Sequence, residues 1–195
     1  MGNDLYIKAV TPAPVGATLI KSGQTTSYRT GDDGDIEAGR ATSFSVLASN
    51  NPFGNTNRFT STTGNQTYTN NIVIDWSTYN GSTVLGYYRV VPGADVTWNT
   101  AIDSAVALST GGFTSGWRLP NKREMENIAN YQLASIFNYT PFSITNTIWL
   151  STTYAASTTL AYTATSSWIN LSTKTGLAGR WIACRNFTVT GTTLT

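Results

Sequence analysis

Gly116-Trp117-Arg118-Leu119-Pro120-Asn121-Lys122-Arg123-Glu124 is the stretch of sequence on which the interpretation of this chain depends. It places a glycine, a large aromatic residue, an arginine and a proline directly before a predicted helix. Asn121 suits the N-cap position, and Glu124 stands three residues later, where a capping box has its acid. Apolar residues then recur at helical spacing, at Met125, Ile128, Ala129 and Leu133. We therefore predict a helix over residues 121–134.

The composition of the 195-residue chain excludes several functions. Charged residues make up 11% of the chain, against about 25% in typical soluble domains, and small polar residues replace them. The net charge of +2 is too small, and the basic residues are too scattered, to favour nucleic-acid binding. Histidine is absent, which excludes Ser-His and Cys-His catalysis and imidazole metal ligands. The length suits one domain, with or without an arm.

The single cysteine and the N-terminal sequence indicate a soluble protein without a disulfide. Cys184 is the only cysteine, so no intramolecular disulfide can form, and its apolar neighbours predict a buried structural thiol. The N-terminus has neither the basic region nor the apolar run of a signal peptide. No window is long and apolar enough to span a membrane, so we expect no membrane insertion.

Residues 1–22 are predicted to form an N-terminal arm, and residues 23–195 one domain. The apolar residues of the arm are interrupted by Pro12, Pro14 and Gly16, which confines any strand there to a sheet edge. Two alternatives stay open: the arm packs against its own domain, or it docks on a neighbouring subunit of a homo-oligomer. The Thr-rich segment 188–193 could also pair with a neighbour, because unpaired strand edges invite strand addition.

Residues 30–37 concentrate four of the ten acidic residues of the chain. Asp32, Asp33 and Asp35 are closely spaced around Gly34, and such aspartates supply the oxygen ligands that calcium prefers. The match to a complete calcium loop is partial, and Asp-Gly is also common turn chemistry. We therefore expect a turn without a cofactor, with calcium at the three aspartates as the alternative.

The remaining patterns predict one further helix and several strands. Asn80-Gly81 separates two β-rich runs, which predicts a hairpin. A helix over residues 97–109 is predicted from the helical spacing of apolar residues that begins at Trp98. Four strand-like runs follow the second helix, at 147–151, 160–163, 167–171 and 180–185, and residues 170–176 are predicted to join the last two as a hairpin. The predicted fold class is α+β, with two helices packed on an antiparallel sheet.

Three motifs in this order resemble the Lcl C-terminal domain family, over about residues 58–187. They are the Trp117-Arg118-Leu119-Pro120 element with Glu124, the run Trp149-Leu150-Ser151-Thr152, and the closing Arg180-Trp181-Ile182-Ala183-Cys184-Arg185. The resemblance implies a loop-rich, C-type-lectin-like fold, found in bacterial surface adhesins and phage-encoded proteins. The family's usual cysteine is missing from the first helix, which reads Ala101-Ile102-Asp103-Ser104-Ala105. Leu150 is the second departure, and we expect it to change only packing.

The resemblance also implies structural roles and a binding face. Trp117 and Trp149 are expected in the core, Arg118 is expected to hold loop carbonyls or Glu124, and Arg185 is expected to do the same for the final strand. In some relatives of that fold, the receptor-binding proteins of phages, the binding face is built from the last sheet and its loops. Here that region supplies five candidate ligand-binding residues, namely Tyr154, Tyr162, Trp168, Asn170 and Lys174.

Three functions follow as hypotheses. The first is a non-enzymatic virion protein, such as a phage tail or fibre protein, that attaches to a cell-surface glycan or protein receptor, since aromatic and amide side chains suit such ligands. Packing is the alternative for these aromatic residues; it is the favoured one for Trp168 and stays open for Tyr154 and Tyr162. The second hypothesis is a purely structural subunit that contacts other virion subunits through the arm, or a bacterial surface adhesin.

The third hypothesis is an enzyme, and the sequence argues against it. The related formylglycine-generating fold oxidises with paired cysteines, and this chain has one. A glycosidase needs two facing carboxylates, and no pairing is visible among the four candidates, Asp75, Asp95, Glu124 and Glu126. We therefore expect a binding protein located on the virion, or alternatively on a cell surface.

Overall fold

The computed structural model describes residues 26–30 and 44–195. The predicted arm and Asp32, Asp33 and Asp35 lie outside these residues. The described chain combines helices with antiparallel sheets, so the predicted α+β class is confirmed. Within it, no helix has the length and apolar character needed to cross a membrane.

Two α-helices and eight strands make up the described part of the chain. In chain order they are β1 (Phe59–Thr60), β2 (Ile72–Asp75), β3 (Thr83–Tyr88), α1 (Trp98–Val106), α2 (Lys122–Asn127), β4 (Ile148–Thr153), β5 (Leu160–Ala164), β6 (Ile169–Thr173), β7 (Ala183–Thr190) and β8 (Thr193–Leu194). A 3-10 helix over Trp76–Thr78 precedes the turn between β2 and β3. Five strands form one sheet in the order β1-β2-β3-β7-β8, and β4-β5-β6 form another.

The predicted hairpin around Asn80-Gly81 is confirmed. β2 and β3 pair antiparallel, with Val73 opposite Tyr87. The side chain of Asn80 accepts a hydrogen bond from the backbone N–H of Thr83 at 2.8 Å. Gly81 has a φ of 100°, a backbone conformation that suits glycine and that residues with a Cβ rarely adopt.

The predicted hairpin between the last two strand-like runs is wrong. β6 pairs with β5, where Leu171 lies opposite Tyr162, whereas β7 pairs with β3, where Cys184 lies opposite Tyr87. Residues 174–182 therefore carry the chain from one sheet to the other. The Thr-rich end of β7 pairs within the chain, since Thr190 lies opposite Thr193 of β8.

Both predicted helices form, but each is shorter than predicted. In α1 the Thr97 side chain accepts from the N–H of Thr100, and the helix ends at Val106 rather than at residue 109. In α2 the predicted capping box of Asn121 and Glu124 is present, but the helix ends at Asn127 rather than at residue 134.

Local hydrogen bonds explain the early end of α2. The backbone N–H of Asn130 donates to the carbonyl oxygen of Ile136, and the Asn130 side chain accepts from the N–H of Gln132. Side-chain-to-backbone bonds of this kind compete with helix continuation. Ile128 stays buried after the turn, whereas Leu133 is 36% exposed.

The β4-β5-β6 sheet lies between two hydrophobic clusters. Trp149 of β4 packs in the cluster that contains Ala101 and Ala105 of α1. Its neighbour Leu150 packs in the cluster that contains Met125 of α2. Successive strand residues point to opposite faces, so the two faces of β4 contribute to different clusters. The third strand of this sheet, β6, carries mostly exposed side chains. Trp117 and Trp149 are both buried, as predicted.

Candidate functional site

Two tyrosines line a cleft between the start of α2 and the β4–β5 connection. The cleft has a volume of about 500 Å³, and its lining includes Lys122, Arg123, Tyr154 and Tyr162. Tyr154 is 38% exposed, and its ring meets that of Tyr162 edge-on at a centroid distance of 6.5 Å. The Lys122 ammonium lies 5.7 Å from the centroid of the Tyr162 ring. Two of the predicted binding residues thus share one cleft with a cation.

The start of α2 is fixed in place by hydrogen bonds to its own residues and to β4. The backbone N–H of Lys122 donates to the Thr152 hydroxyl at 2.9 Å. Arg118 donates from both terminal nitrogens to the Glu124 carboxylate, at 2.7 and 2.5 Å, and also to the carbonyl oxygen of Leu119. Arg118 therefore holds both Glu124 and a carbonyl, which are the two partners that the resemblance implied.

Glu124 is charged at neutral pH because its hydrogen bonds lower its pKa by more than its burial raises it. Burial alone raises the pKa of this carboxyl group, but hydrogen bonds from Arg118 and from the N–H of Asn121 lower it further, so the net shift is downward. The thiol of Cys184 lies beneath the pair and accepts a hydrogen bond from Arg118 at 3.1 Å. Burial raises the pKa of this thiol well above its usual range, which fits the predicted buried structural role.

Trp168 is the clearest departure from the predicted packing. It is 63% exposed, so the favoured packing interpretation is wrong. Thr165 explains the position: its hydroxyl accepts from the N–H of Trp168, and its own N–H donates to the Trp168 carbonyl. This turn holds Trp168 at the surface, so its indole lies outside the core.

Trp168 lines a second, smaller cleft that shares one residue with the first. This cleft of about 240 Å³ is lined by Lys122, Tyr131 and Trp168, among others, and Tyr131 is 52% exposed. Because Lys122 lines both clefts, we treat Lys122, Tyr131, Tyr154, Tyr162 and Trp168 as one surface, the aromatic face. Sequence reasoning missed Lys122 and Tyr131. Lys122 stood inside the quoted motif, but only the fold places it beside the strands.

The other two predicted binding residues lie elsewhere. Asn170 is paired with Thr163, one position away from the Leu171–Tyr162 pair, so strand alternation directs it to the opposite face from Tyr162. Lys174 donates to the carbonyl oxygen of Thr158 at 2.9 Å and lines a different cleft. The five predicted residues therefore do not form one site, and three of them belong to the aromatic face.

Arg185 does not bond to carbonyl groups of the final strand as expected. Its guanidinium stacks on aromatic rings, at 4.9 Å from the centroid of Phe113, 5.8 Å from Trp117 and 4.7 Å from Phe187. Within the described structure its buried Nε has no hydrogen-bond partner, and desolvation lowers the pKa of the group. Arginine suits this position because its planar guanidinium is weakly hydrated and stacks well on rings.

The four carboxylates considered for glycoside hydrolysis are all held by cations. Asp75 pairs with Arg58, Asp95 with Arg180, Glu124 with Arg118, and Glu126 with Lys122 and Arg123. Among the residues that the structure describes, no group of three or more acidic or cysteine side chains could hold a metal ion. We therefore take the aromatic face, with its exposed Tyr131, Tyr154 and Trp168, as the candidate recognition surface.

Comparisons with protein families, curated proteins and solved structures gave no match to this chain. Membership of the Lcl family and the C-type-lectin-like fold therefore stay predictions that rest on the three sequence motifs. The candidate site is defined by its own geometry.

Proposed function

We propose that this chain is a non-enzymatic recognition module of a virion, such as a phage tail or fibre protein, with a C-type-lectin-like domain. It attaches the particle to a glycan or protein receptor on the cell surface through the aromatic face. The observation that carries the proposal is the exposure of Tyr154 and Trp168 in two clefts that Lys122 also lines. Large aromatic side chains in water are costly for a monomer and are typical of binding surfaces.

The construction of the aromatic face supports this function. Tyrosine and tryptophan supply large contact areas at a low cost in conformational entropy. Tyr162 belongs to β5, and Lys122 is anchored by the capping box and by Thr152. Trp168 is held by the turn that Thr165 closes, whereas Tyr131 and Tyr154 lie on the connections that follow α2 and β4. The fixed positions of Lys122, Tyr162 and Trp168 reduce the flexibility lost on binding, which favours affinity.

Attachment of purified chain to host cells tests the proposal. Trp168→Ala and Tyr154→Ala are expected to reduce attachment at least tenfold, because each removes an exposed ring from the face. Val106→Ala and Leu177→Ala are matched controls, since these side chains are 58% and 69% exposed and do not line the aromatic face. Full attachment by folded Trp168→Ala and Tyr154→Ala chains would refute a receptor role for this face and favour the purely structural subunit.

A role in assembly is the second candidate function, and it rests on the sequence of residues 1–22. Their apolar residues are too interrupted by proline for an internal strand, yet too numerous to leave in water, so we propose that the arm docks on neighbouring subunits of a homo-oligomer. Deleting residues 1–22 is expected to release monomers in light scattering or to abolish particle attachment. Unchanged size together with unchanged attachment would show that the arm covers its own domain. A bacterial surface adhesin would use the same aromatic face without this arm contact.

A further inference from the structure

A cleft separate from the aromatic face lies where α1 begins and β6 ends. It has a volume of about 530 Å³ and is lined by five threonines together with Trp98, Asn99 and Lys174. None of these residues lines the two clefts of the aromatic face. The volume falls in the roughly 300–1,000 Å³ range of small-molecule sites.

Hydrogen bonds fix the frame of this cleft. The backbone N–H of Trp98 donates to the carbonyl oxygen of Lys174 at 3.0 Å, and the N–H of Lys174 donates to the carbonyl oxygen of Thr159 at 2.9 Å. The Trp98 indole N–H donates to the carbonyl oxygen of Leu150 at 2.8 Å. Four separate chain segments are thus joined, and the indole cannot rotate without losing a hydrogen bond.

The polar groups of the cleft are mostly uncharged and without partners. Within the described chain, the side chains of Asn99, Thr158, Thr173 and Thr175 make no hydrogen bond. Each hydroxyl group can both donate and accept, and the amide offers two donors and an acceptor. The lining contains no carboxylate.

The one cation of the cleft is already engaged. The Lys174 ammonium lies 4.4 Å from the centroid of the Trp98 ring and donates one hydrogen bond to Thr158. Its charge is therefore directed toward a π face and a carbonyl oxygen, while its remaining donors can still reach a neutral acceptor. Lys174 therefore adds hydrogen-bond donors to a lining that otherwise offers uncharged hydroxyl and amide groups.

We propose that this cleft binds a neutral sugar residue. The threonine hydroxyls, the Asn99 amide and the remaining donors of Lys174 match the hydroxyl and ring oxygens of a pyranose. The partly exposed Trp98 indole, whose ring carries the Lys174 ammonium, adds apolar surface to the wall of the cleft. The proposal rests on the recognition function proposed above and gives it a second contact point of defined chemistry. A peptide ligand fits less well, because the lining provides neither a deep apolar pocket nor a pair of charges for side chains.

The test is an NMR titration of the whole chain with lactose, maltose and chitobiose, and with 3′-sialyllactose as an anionic comparison. At least one neutral disaccharide is expected to shift the Trp98 indole N–H signal saturably at millimolar concentrations. Asn99→Ala and Thr175→Val are expected to weaken this binding at least fivefold, because each removes a hydrogen-bonding group without breaking an internal bond. Thr190→Val is the matched control, since Thr190 is exposed and lines none of the three clefts, and it is expected to bind normally.

Three results would overturn the proposal: no saturable shift with any neutral disaccharide, equal binding by the Asn99 and Thr175 variants, or a preference for 3′-sialyllactose that Lys174→Met abolishes. The last result would make the cleft an anion site. Cell attachment separates this proposal from the general recognition function. If attachment depends on Trp168 but no sugar binds at Trp98, the sugar-site proposal alone is refuted. If a sugar binds at Trp98 but attachment does not depend on Trp168, the proposal for the aromatic face is refuted.

Discussion

Arg58 and Asp75 form a two-point ion pair in the protein interior, with both nitrogen-to-oxygen distances at 2.9 Å. Neither side chain is more than 1% exposed. The guanidinium also donates to the carbonyl oxygens of Phe44 and Asn127, and it lies 4.5 Å from the ring centroids of both Phe44 and Phe59. Because α2 ends at Asn127 and Asp75 ends β2, the pair joins the end of the helix to the sheet.

Asp75→Asn is expected to lower the free energy of unfolding by about 3–5 kcal/mol, because it leaves the Arg58 charge buried without its counter-ion. Urea denaturation measures the loss. The double variant Arg58→Met with Asp75→Leu is expected to lose less than either single variant, since no charge is left unpaired. Arg123→Ala, at a side chain that is 89% exposed, is the control. An Asp75→Asn protein within 1 kcal/mol of the parent would show that the pair contributes little.

Trp117→Ala is expected to destabilise the protein by about 3–5 kcal/mol, because it leaves a large cavity in the core. Trp117 is 2% exposed and packs against Phe187. Trp168→Ala removes the same side chain at a position that is 63% exposed, and a change within about 0.5 kcal/mol is expected there. Equal melting temperatures for the two variants would contradict this assignment of core and surface tryptophans.

Gly86→Ala is expected to destabilise by about 1–3 kcal/mol through overpacking. A Cβ at this position would lie 2.4 Å from a ring carbon of Phe187 and 2.8 Å from the Cδ1 of Ile74. Gly93→Ala is the control, because a Cβ there meets no atom within 4 Å. Chemical denaturation of the two variants compares them directly, and a neutral Gly86→Ala would mean that Phe187 moves aside freely.

The ion pair of Glu124 and Arg118 predicts a loss of stability in acid. The folded-state pKa of Glu124 lies below its ordinary value, so the stabilisation is complete above the unfolded pKa of about 4.3 and is lost as the pH falls through the folded pKa. The difference in Tm between the parent and Glu124→Gln is therefore expected to be constant above about pH 5.5 and to shrink below about pH 4.3. Asp103→Asn, at an exposed position of α1, controls for general charge effects. A difference in Tm that does not change with pH would contradict the prediction.

The sequence predicted the features of this fold that depend on near neighbours. The capping box of Asn121 and Glu124 and the hairpin at Asn80-Gly81 both depend on residues within a few positions of each other, and both are present. The helix predicted over 121–134 is longer than the observed one, so helical spacing of apolar residues does not by itself fix where a helix ends. Ile128 is buried as the spacing predicted, but it is buried after the helix has ended.

Features that depend on distant residues could not be predicted in the same way. β6 and β7 follow one another in sequence, yet each finds its partner in a strand outside the predicted hairpin, and no local signal separates the two outcomes. The exposure of Trp168 depends on the turn closed by Thr165, while hydrophobicity alone favours burial. Lys122 enters the candidate site only because α2 lies against β4.

The pairing of β3 with β7 sets the order in which this protein can be completed during synthesis. Tyr88 pairs with Ala183, and Thr83 with Thr188, so the ribosome must release β7 before β3 can pair on its second edge. Until then that edge of β3 has no strand partner in the nascent chain. Contacts between such distant segments fold slowly and expose partly folded chains to aggregation. A chain cut before Ala183 is therefore an expected chaperone client rather than a smaller stable domain.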